Sequence, residues 1–391
     1  MKQITIATLL SGGEGVGVGA RAVGLQHLWG IEIDDGVAQV ARANGFNVLT
    51  ADIFDVDPNT LERPDILHAS PECQRASQAA NNRGETAQDR AIARRIVQFI
   101  EMLQPRVFTL ENVWPYRHFE SFGYILDSLT GMGYFVHYAN LNAADFGVPQ
   151  TRRRLILRAV RGGLVPCLPV PRPWTGWYEA IADLIVSLPE SEFAPWQLKR
   201  LPDALVGTVL VSQGISRDHK GGEYPMVTRN GGNPAFTVTA NTNMVNMRAY
   251  LVGGQYGQPL DGNDRPPQVR DGDAPSFTVT AKNKGDWRVF IVDGGNAGRT
   301  STVRMGDEPM FTVDAMRLTK HPHRVWVEGR VVQMTPRALA RFQSFPDTYI
   351  LPDNKGLACK VIGNAVPPLM YQRIIEGLRE TLMNTDRGGL S

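Results

Sequence analysis

The chain predicts an α/β fold: a parallel sheet covered by helices, interrupted by a mostly β insertion and completed by a helical C-terminal return. Three observations predict it. Over residues 1–161, short apolar runs bounded by turn residues alternate with helical patterns, the mark of successive βαβ units. The first run opens into a glycine-rich stretch that leads into a helix, in the strand, loop, helix order of a doubly wound sheet. From about Gly162 the texture changes to short β-prone segments between turns, and helical texture returns after residue 330. The expected division is 1–161, 162–330 and 331–391.

Ile4-Thr5-Ile6-Ala7-Thr8-Leu9-Leu10 is apolar and β-prone, and Ser11-Gly12-Gly13-Glu14-Gly15 follows at once. Glycines there let backbone N–H groups approach a ligand at a helix N-terminus, the usual way a nucleotide-like cofactor is held. About 20 residues on, the spacing of a ribose-binding acid in such units, residues 28–34 read as a second strand ending in carboxylates. Glu32 is the better placed of these to accept from ribose hydroxyls. Residues 46–53 form a third strand closing on an acid, Asp52.

Asp65-Ile66-Leu67-His68-Ala69 is too short for a helix and is bounded by Pro64 and Pro71, so it reads as a buried strand. Its end delivers Ser70-Pro71-Glu72-Cys73-Gln74, and so a thiol, to the carboxyl edge of the sheet, where open α/β sheets place their chemistry. The polar stretch 75–88 reads as a mobile loop over that edge, and a helical pattern follows from Ala91 to Leu103. Residues 106–110 are another buried strand. Glu111-Asn112-Val113 at its end brings a carboxylate to the edge that holds Cys73, because parallel strands share it. Residues 134–138 and 155–157 are the last strands. Between them, Gln150-Thr151-Arg152-Arg153-Arg154 sets Arg152 and Arg154 at alternate positions, where on a strand they point the same way and can orient a carboxylate.

Prolines crowd at Pro166, Pro169, Pro171 and Pro173, marking an irregular entry into the insertion. Beyond them stands an imperfect repeat: Pro234-Ala235-Phe236-Thr237-Val238, Pro275-Ser276-Phe277-Thr278-Val279 and Pro309-Met310-Phe311-Thr312-Val313. Further short strands lie between the copies, so this part is mostly β with long polar loops, too irregular for a propeller. Thr335 and Pro336 start a helix as cap and first residue, and another helix runs to about Leu382.

Composition narrows the class. With 42% hydrophobic and 20% charged residues the chain is neither disordered nor fibrous. No apolar stretch approaches the ~20 residues that span a bilayer, and no signal-peptide pattern opens the sequence, so a cytoplasmic protein is expected. The three cysteines, Cys73, Cys167 and Cys359, are far apart and lack metal-ligand spacing; no metal site is expected, and His219, His321 and His323 have no Cys or acid partners at ligand spacing. A net charge of +2 permits a local basic surface for nucleic acid without arguing for one.

Taken in order, Leu10-Ser11-Gly12-Gly13-Glu14-Gly15, Glu32-Ile33-Asp34, Asp52-Ile53, Ser70-Pro71-Glu72-Cys73-Gln74, Glu111-Asn112-Val113, Gln150-Thr151-Arg152-Arg153-Arg154, Phe342-Gln343-Ser344-Phe345-Pro346-Asp347 and Gly363-Asn364-Ala365-Val366-Pro367 resemble the motifs of the DNA cytosine carbon-5 methyltransferases of bacterial and phage type. The resemblance covers nearly the whole chain except the insertion. It implies a Rossmann-like S-adenosylmethionine-dependent methyltransferase domain with an inserted, mostly β target-recognition domain. Two positions depart from the family pattern: Glu72 stands where proline precedes the cysteine, and Glu14 where the loop carries glycine.

The resemblance also assigns roles. Cys73 adds to carbon 6 of cytosine, Glu111 hydrogen-bonds or protonates ring nitrogen 3, and Arg152 and Arg154 hold base and acid. S-adenosyl-L-methionine is implied as cofactor, bound by Leu10, Ser11, Gly12, Gly13 and Gly15 of the loop, by Glu32 and Ile33, by Asp52 and Ile53, and by Asn364 and Ala365. Duplex DNA is the implied partner, with the target base flipped out of the stack. A monomer is expected, in a restriction-modification setting whose endonuclease need form no stable complex with it. Two alternatives share part of this pattern: an RNA (tRNA) cytosine-5 methyltransferase on the same catalytic domain, and a non-catalytic DNA-binding relative. The large insertion favours a reader of a longer duplex site, and intact Cys73 and Glu111 favour an enzyme.

Overall fold

A computed structural model of the chain describes residues 3–71, 84–190, 233–235 and 330–386, together with six short strands of the insertion, 209–211, 228–230, 248–251, 288–292, 303–304 and 324–328. By packing the chain divides into two units. The first comprises Met1–Ile181, Gly232–Met244 and Thr335–Ser391, the second Ala182–Gly231 and Val245–Met334.

The first unit is built on seven strands: β1 (Thr5–Leu9), β2 (Gln26–Glu32), β3 (Val48–Thr50), β4 (Ile66–Ala69), β5 (Val107–Asn112), β6 (Tyr134–Asn142) and β7 (Arg153–Arg161). They lie in the order β3-β2-β1-β4-β5-β7-β6. β1 to β5 pair in parallel, and β7 runs antiparallel to both its neighbours. The order reverses at β1 and β4, so the switch point of the sheet lies between the glycine loop and the turn that leads to Cys73.

Strand alternation sorts the core. Ala7, Leu9, Leu67, Ala69, Phe108, Leu110, Leu157 and Ala159 face one side, against α3 (Ala87–Leu103) and α4 (Glu120–Gly131). Ile6, Ile66, Val107 and Val160 face the other, against α1 (Gly15–Ala22) and the C-terminal helix. The helices α2 (Asp35–Ala43), α5 (Trp177–Ile181), α6 (Pro336–Phe342), α7 (Lys355–Asn364) and α8 (Pro368–Asp386) complete the unit. Among the described residues no helix is long and apolar enough to cross a membrane.

Several bounds differ from the sequence expectation for local reasons. α3 starts at Ala87, four residues earlier than periodicity indicates, because Thr86 and Asp89 form a capping box: Asp89 N–H donates to Thr86 Oγ1 at 3.2 Å, and Thr86 N–H to Asp89 Oδ2 at 2.7 Å. β5 runs through Glu111 and Asn112 rather than ending before them. Helix α7 has no clear apolar stripe, with two glycines and burial on most sides; Asn354 caps it, accepting from Leu357 N–H at 3.0 Å. Of the loop expected over 75–88, residues 75–83 lie outside the described residues.

α1 lies against the start of α8 with almost no space between backbones. A Cβ on Gly19 would stand 2.4 Å from the Pro368 carbonyl oxygen and 3.0 Å from Gln372 N, whereas one on Gly123 in α4 would meet nothing within 4 Å. Gly19→Ala is therefore expected to destabilise by about 1–3 kcal/mol, the usual cost of overpacking. Gly123→Ala is expected to stabilise by up to about 1 kcal/mol through helix propensity alone. Urea midpoints of the two variants that move in the same direction would contradict this.

The second unit is antiparallel β throughout its described strands. One sheet orders β14 (Arg330–Gln333), β10 (Arg248–Leu251), β8 (Val209–Val211) and β9 (Thr228–Asn230); the other orders β12 (Val303–Arg304), β11 (Arg288–Val292) and β13 (Arg324–Glu328). Apart from Pro234 and Ala235, the three repeats lie outside the described residues, as do His219, His321 and His323.

Candidate active site

The carboxyl ends of β4 and β5 meet at one edge. Past Ala69 the chain makes Ser70 and Pro71, both described; Glu72 and Cys73 fall outside the described residues. Two backbone anchors hold the turn. Ser70 N–H donates to the Leu9 carbonyl at 3.3 Å, and the buried Asn112 donates from Nδ2 to the Pro71 carbonyl at 3.1 Å. Beside Asn112 stands Glu111, only 7% exposed, and Arg154 Nε lies 2.9 Å from its Oε1. The predicted acid and one predicted arginine are thus brought together, next to the turn that leads to Cys73.

Arg152 goes elsewhere. It stands just before β7, and its buried guanidinium donates to the Gly363 carbonyl at 3.0 Å while its backbone N–H donates to Asn142 Oδ1 at 3.0 Å. It fastens the end of α7, as does Gln343, which donates to the Ala365 carbonyl at 2.6 Å; Gln150 in turn donates to Gln343 and to the Phe342 carbonyl. Asn364 is exposed at that end and Ala365 buried behind it.

The glycine loop is tied to β2. Ser11 N–H donates to the Ile31 carbonyl at 2.9 Å, Gly12 N–H to Glu32 Oε2 at 2.8 Å, and Asp34 N–H to Glu32 Oε1 at 2.9 Å. Glu32 thus braces the loop and keeps lone pairs for further donors, since a carboxylate offers about four. The glycines divide by task. Gly12, at φ 55°, has open space where a Cβ would stand, while a Cβ on Gly13 would meet Val361 at 2.4 Å and one on Gly15 the Val366 carbonyl at 2.4 Å. Only Gly12 faces open space; Gly13 and Gly15 admit the C-terminal return. Tyr349, whose hydroxyl burial pushes well above its ordinary range, donates to the Gly13 carbonyl at 2.6 Å.

Around that opening, Leu10 takes φ 56° and Ile33 is 63% exposed. Asp52 follows β3 and accepts from Phe54 N–H at 3.0 Å; Ile53 is buried in the core, and its carbonyl accepts from Arg95 Nε at 2.9 Å. An exposed apolar side chain beside a carboxylate and an open glycine at the switch point fits a nucleoside-bearing cofactor. Among the described residues no group of three or more His, Cys, Asp and Glu side chains is placed to hold a metal ion.

Two side-chain arrangements near the loop were not read from the sequence. Lys360 Nζ lies 2.5 Å from Asp34 Oδ2, and that hydrogen bond, with the Val37 N–H donated to Asp34 at the start of α2, holds the Asp34 carboxyl below its usual pKa. The pair is separated by most of the chain, so no spacing announces it. Glu14, the departure in the loop, is fully buried at φ 60° and turns inward: Thr8 Oγ1 donates to its Oε1 at 2.5 Å, and His27 Nε2 lies 3.0 Å from the same oxygen.

The sequence model of the family described as C-5 cytosine-specific DNA methylase matches residues 4–380. Among similar proteins are the Type II methyltransferase M1.HphI of Haemophilus parahaemolyticus, 25% identical over 396 residues (98% of this chain and 88% of that one), and M.DdeI of Desulfomicrobium norvegicum, 25% identical over 404 residues (95% and 88%). Similar solved structures include the Entamoeba histolytica methyltransferase EhMeth, with TM-score 0.56 at 12% identity, covering 98% of this chain and 99% of that one. The Schizosaccharomyces pombe Dnmt2 methyltransferase gives TM-score 0.55 at 12% identity, with 97% and 99% covered. At these identities the two structures speak for the fold.

Proposed function

Because the chain belongs to the C-5 cytosine-specific DNA methylases, and so is a DNA cytosine-5 methyltransferase, we propose that it methylates a flipped-out cytosine in a specific duplex sequence through a covalent bond from Cys73 to carbon 6. The observation that carries this reading is the edge where Asn112 grips the Pro71 carbonyl while its neighbour Glu111 pairs with Arg154. Adjacent residues of β5 thereby hold the Pro71 carbonyl and carry the carboxylate that this reading makes the acid.

Carbon 5 of cytosine is a poor nucleophile. The Cys73 thiolate adds to carbon 6, and the electron pair displaced through the ring is received at nitrogen 3 with a proton or hydrogen bond from Glu111. Carbon 5 of the resulting enamine then takes the methyl group, and loss of its proton with expulsion of the thiolate restores the ring. S-adenosylmethionine, when bound, supplies that methyl as an activated sulfonium. Leu10, Ser11, Gly12, Glu32, Ile33 and Asp52 would line its nucleoside and methionine ends, and Arg154 would hold Glu111. Arg152 serves in this reading as a brace of α7. Residues 162–330 would be the target-recognition domain, with the polar side chains of its loops meeting base edges.

Tritiated methyl from S-adenosylmethionine is expected to enter duplex DNA and not tRNA, and bisulfite sequencing of host DNA after expression is expected to show protected cytosines in one sequence context. Preferential labelling of tRNA would overturn the reading of the substrate.

A further inference from the structure

We infer that His68 is a positioning residue for the reaction: its imidazole, held at both nitrogens, fixes the Ser70 hydroxyl and with it the start of the turn that carries Cys73. The inference rests on the reading of Cys73 as the nucleophile.

β4 is buried along its whole length, and three of its four residues are Ile66, Leu67 and Ala69. A histidine in the middle of such a strand is costly unless both ring nitrogens find partners. Both do. His68 Nδ1 lies 2.8 Å from Thr109 Oγ1, its registered neighbour on β5, and Nε2 lies 2.8 Å from Ser70 Oγ. Thr109 Oγ1 is in turn 3.1 Å from the Tyr371 hydroxyl on α8, and the Tyr371 ring meets the imidazole edge-on at 5.1 Å. Three buried side chains and the half-buried Ser70 thus form one line from the C-terminal helix, through the sheet, to the first residue past β4. Packing alone would have been served by another aliphatic residue; what histidine adds is a bond to Ser70.

Burial pushes the His68 pKa down to about 3, so the ring is neutral wherever the enzyme is assayed. A neutral imidazole has one donor and one acceptor, so the two hydroxyls at its ends must take opposite roles, and the line is directional. Ser70 is then held three ways: its N–H on Leu9, its hydroxyl on His68, and its neighbour Pro71 on Asn112. At about 3.3–3.6 Å per residue, Cys73 is no more than about 11 Å along the chain from that anchor, so freedom at Ser70 becomes displacement of the thiol. A misplacement of about 1 Å at a reacting group can cost 10²-fold in rate.

The test is steady-state kinetics on duplex DNA for Ser70→Ala, His68→Gln and His68→Leu, with S-adenosylmethionine affinity and unfolding midpoint measured beside it and Cys73→Ser as reference. Ser70→Ala is expected to lower kcat by roughly 10–100-fold, with KM for DNA and cofactor affinity within about twofold. His68→Gln, which keeps a donor and an acceptor, is expected to retain more kcat than His68→Leu. Should His68→Leu fail to fold, Ser70→Ala and His68→Gln still decide. Variants that lose stability yet turn over at the wild-type kcat would show a merely structural histidine and overturn the inference. If instead Cys73→Ser itself remains active, the reading beneath it fails.

Discussion

Cys73→Ser is expected to lower methyl transfer by at least about 10³-fold, the order seen when a covalent nucleophile is removed from an enzyme, while S-adenosylmethionine affinity stays within about twofold. The difference lies in the nucleophile itself. A thiol ionises near pH 8–9, and its thiolate is strongly nucleophilic, whereas a serine hydroxyl must be deprotonated by a neighbouring base as it attacks. Histidine is the usual base, and the histidine closest along the chain, His68, has both nitrogens engaged with Thr109 and Ser70. Single-turnover transfer of tritiated methyl to duplex DNA, with cofactor binding followed by calorimetry, reads both quantities. Serine turnover near the wild-type rate would remove the covalent mechanism.

Glu111→Gln is the second large effect. Glutamine can still donate a hydrogen bond to ring nitrogen 3 but cannot deliver a proton, so kcat is expected to fall by roughly 10²–10⁴-fold, the range of general-acid contributions. The variant also leaves Arg154 without its carboxylate, at 16% side-chain exposure. Arg154→Met separates the two causes: it keeps the acid and removes only what orients it. Its kcat should therefore lie between wild type and Glu111→Gln. An Arg154→Met enzyme as slow as Glu111→Gln would mean that the ion pair, and not the proton, is what the reaction requires.

The sheet was legible because each strand is a short apolar run between turn residues, and because its connections obey the geometry of βαβ units. Glu111 and the Pro71 turn were legible together for the same reason, as parallel strands deliver their ends to one edge. What the sequence hid are pairings that depend on chain return. Arg152 and Arg154 look equivalent at alternate positions, but Arg154 pairs with Glu111 while Arg152 donates to the carbonyl of Gly363, a residue far along the chain. The glycine loop hides a pairing of the same kind. A glycine needed for a ligand and one needed for a neighbouring backbone look the same until α7 and the start of α8 are in place over Gly13, Gly15 and Gly19. Ile53 reads as a pocket residue by its place after Asp52, yet its side chain belongs to the core.

The inward turn of Glu14 carries a consequence for how the sequence can drift. A Cβ on Gly30 would stand 2.3 Å from Glu14 Oε1, and one on Gly17 2.6 Å from Oε2, so these two glycines make the room that the carboxylate fills. Positions 14, 17 and 30 are therefore sterically coupled, in a space that Phe46 and Thr8 also crowd. Changing Glu14 to glycine alone suits φ 60° but empties a cradle and strips His27 and Thr8 of their shared acceptor; changing either cradle glycine first produces a clash. Each single substitution is costly from this starting point, and the costs are not expected to add. Glu14→Gly is therefore expected to lower the unfolding midpoint even though glycine suits the backbone there.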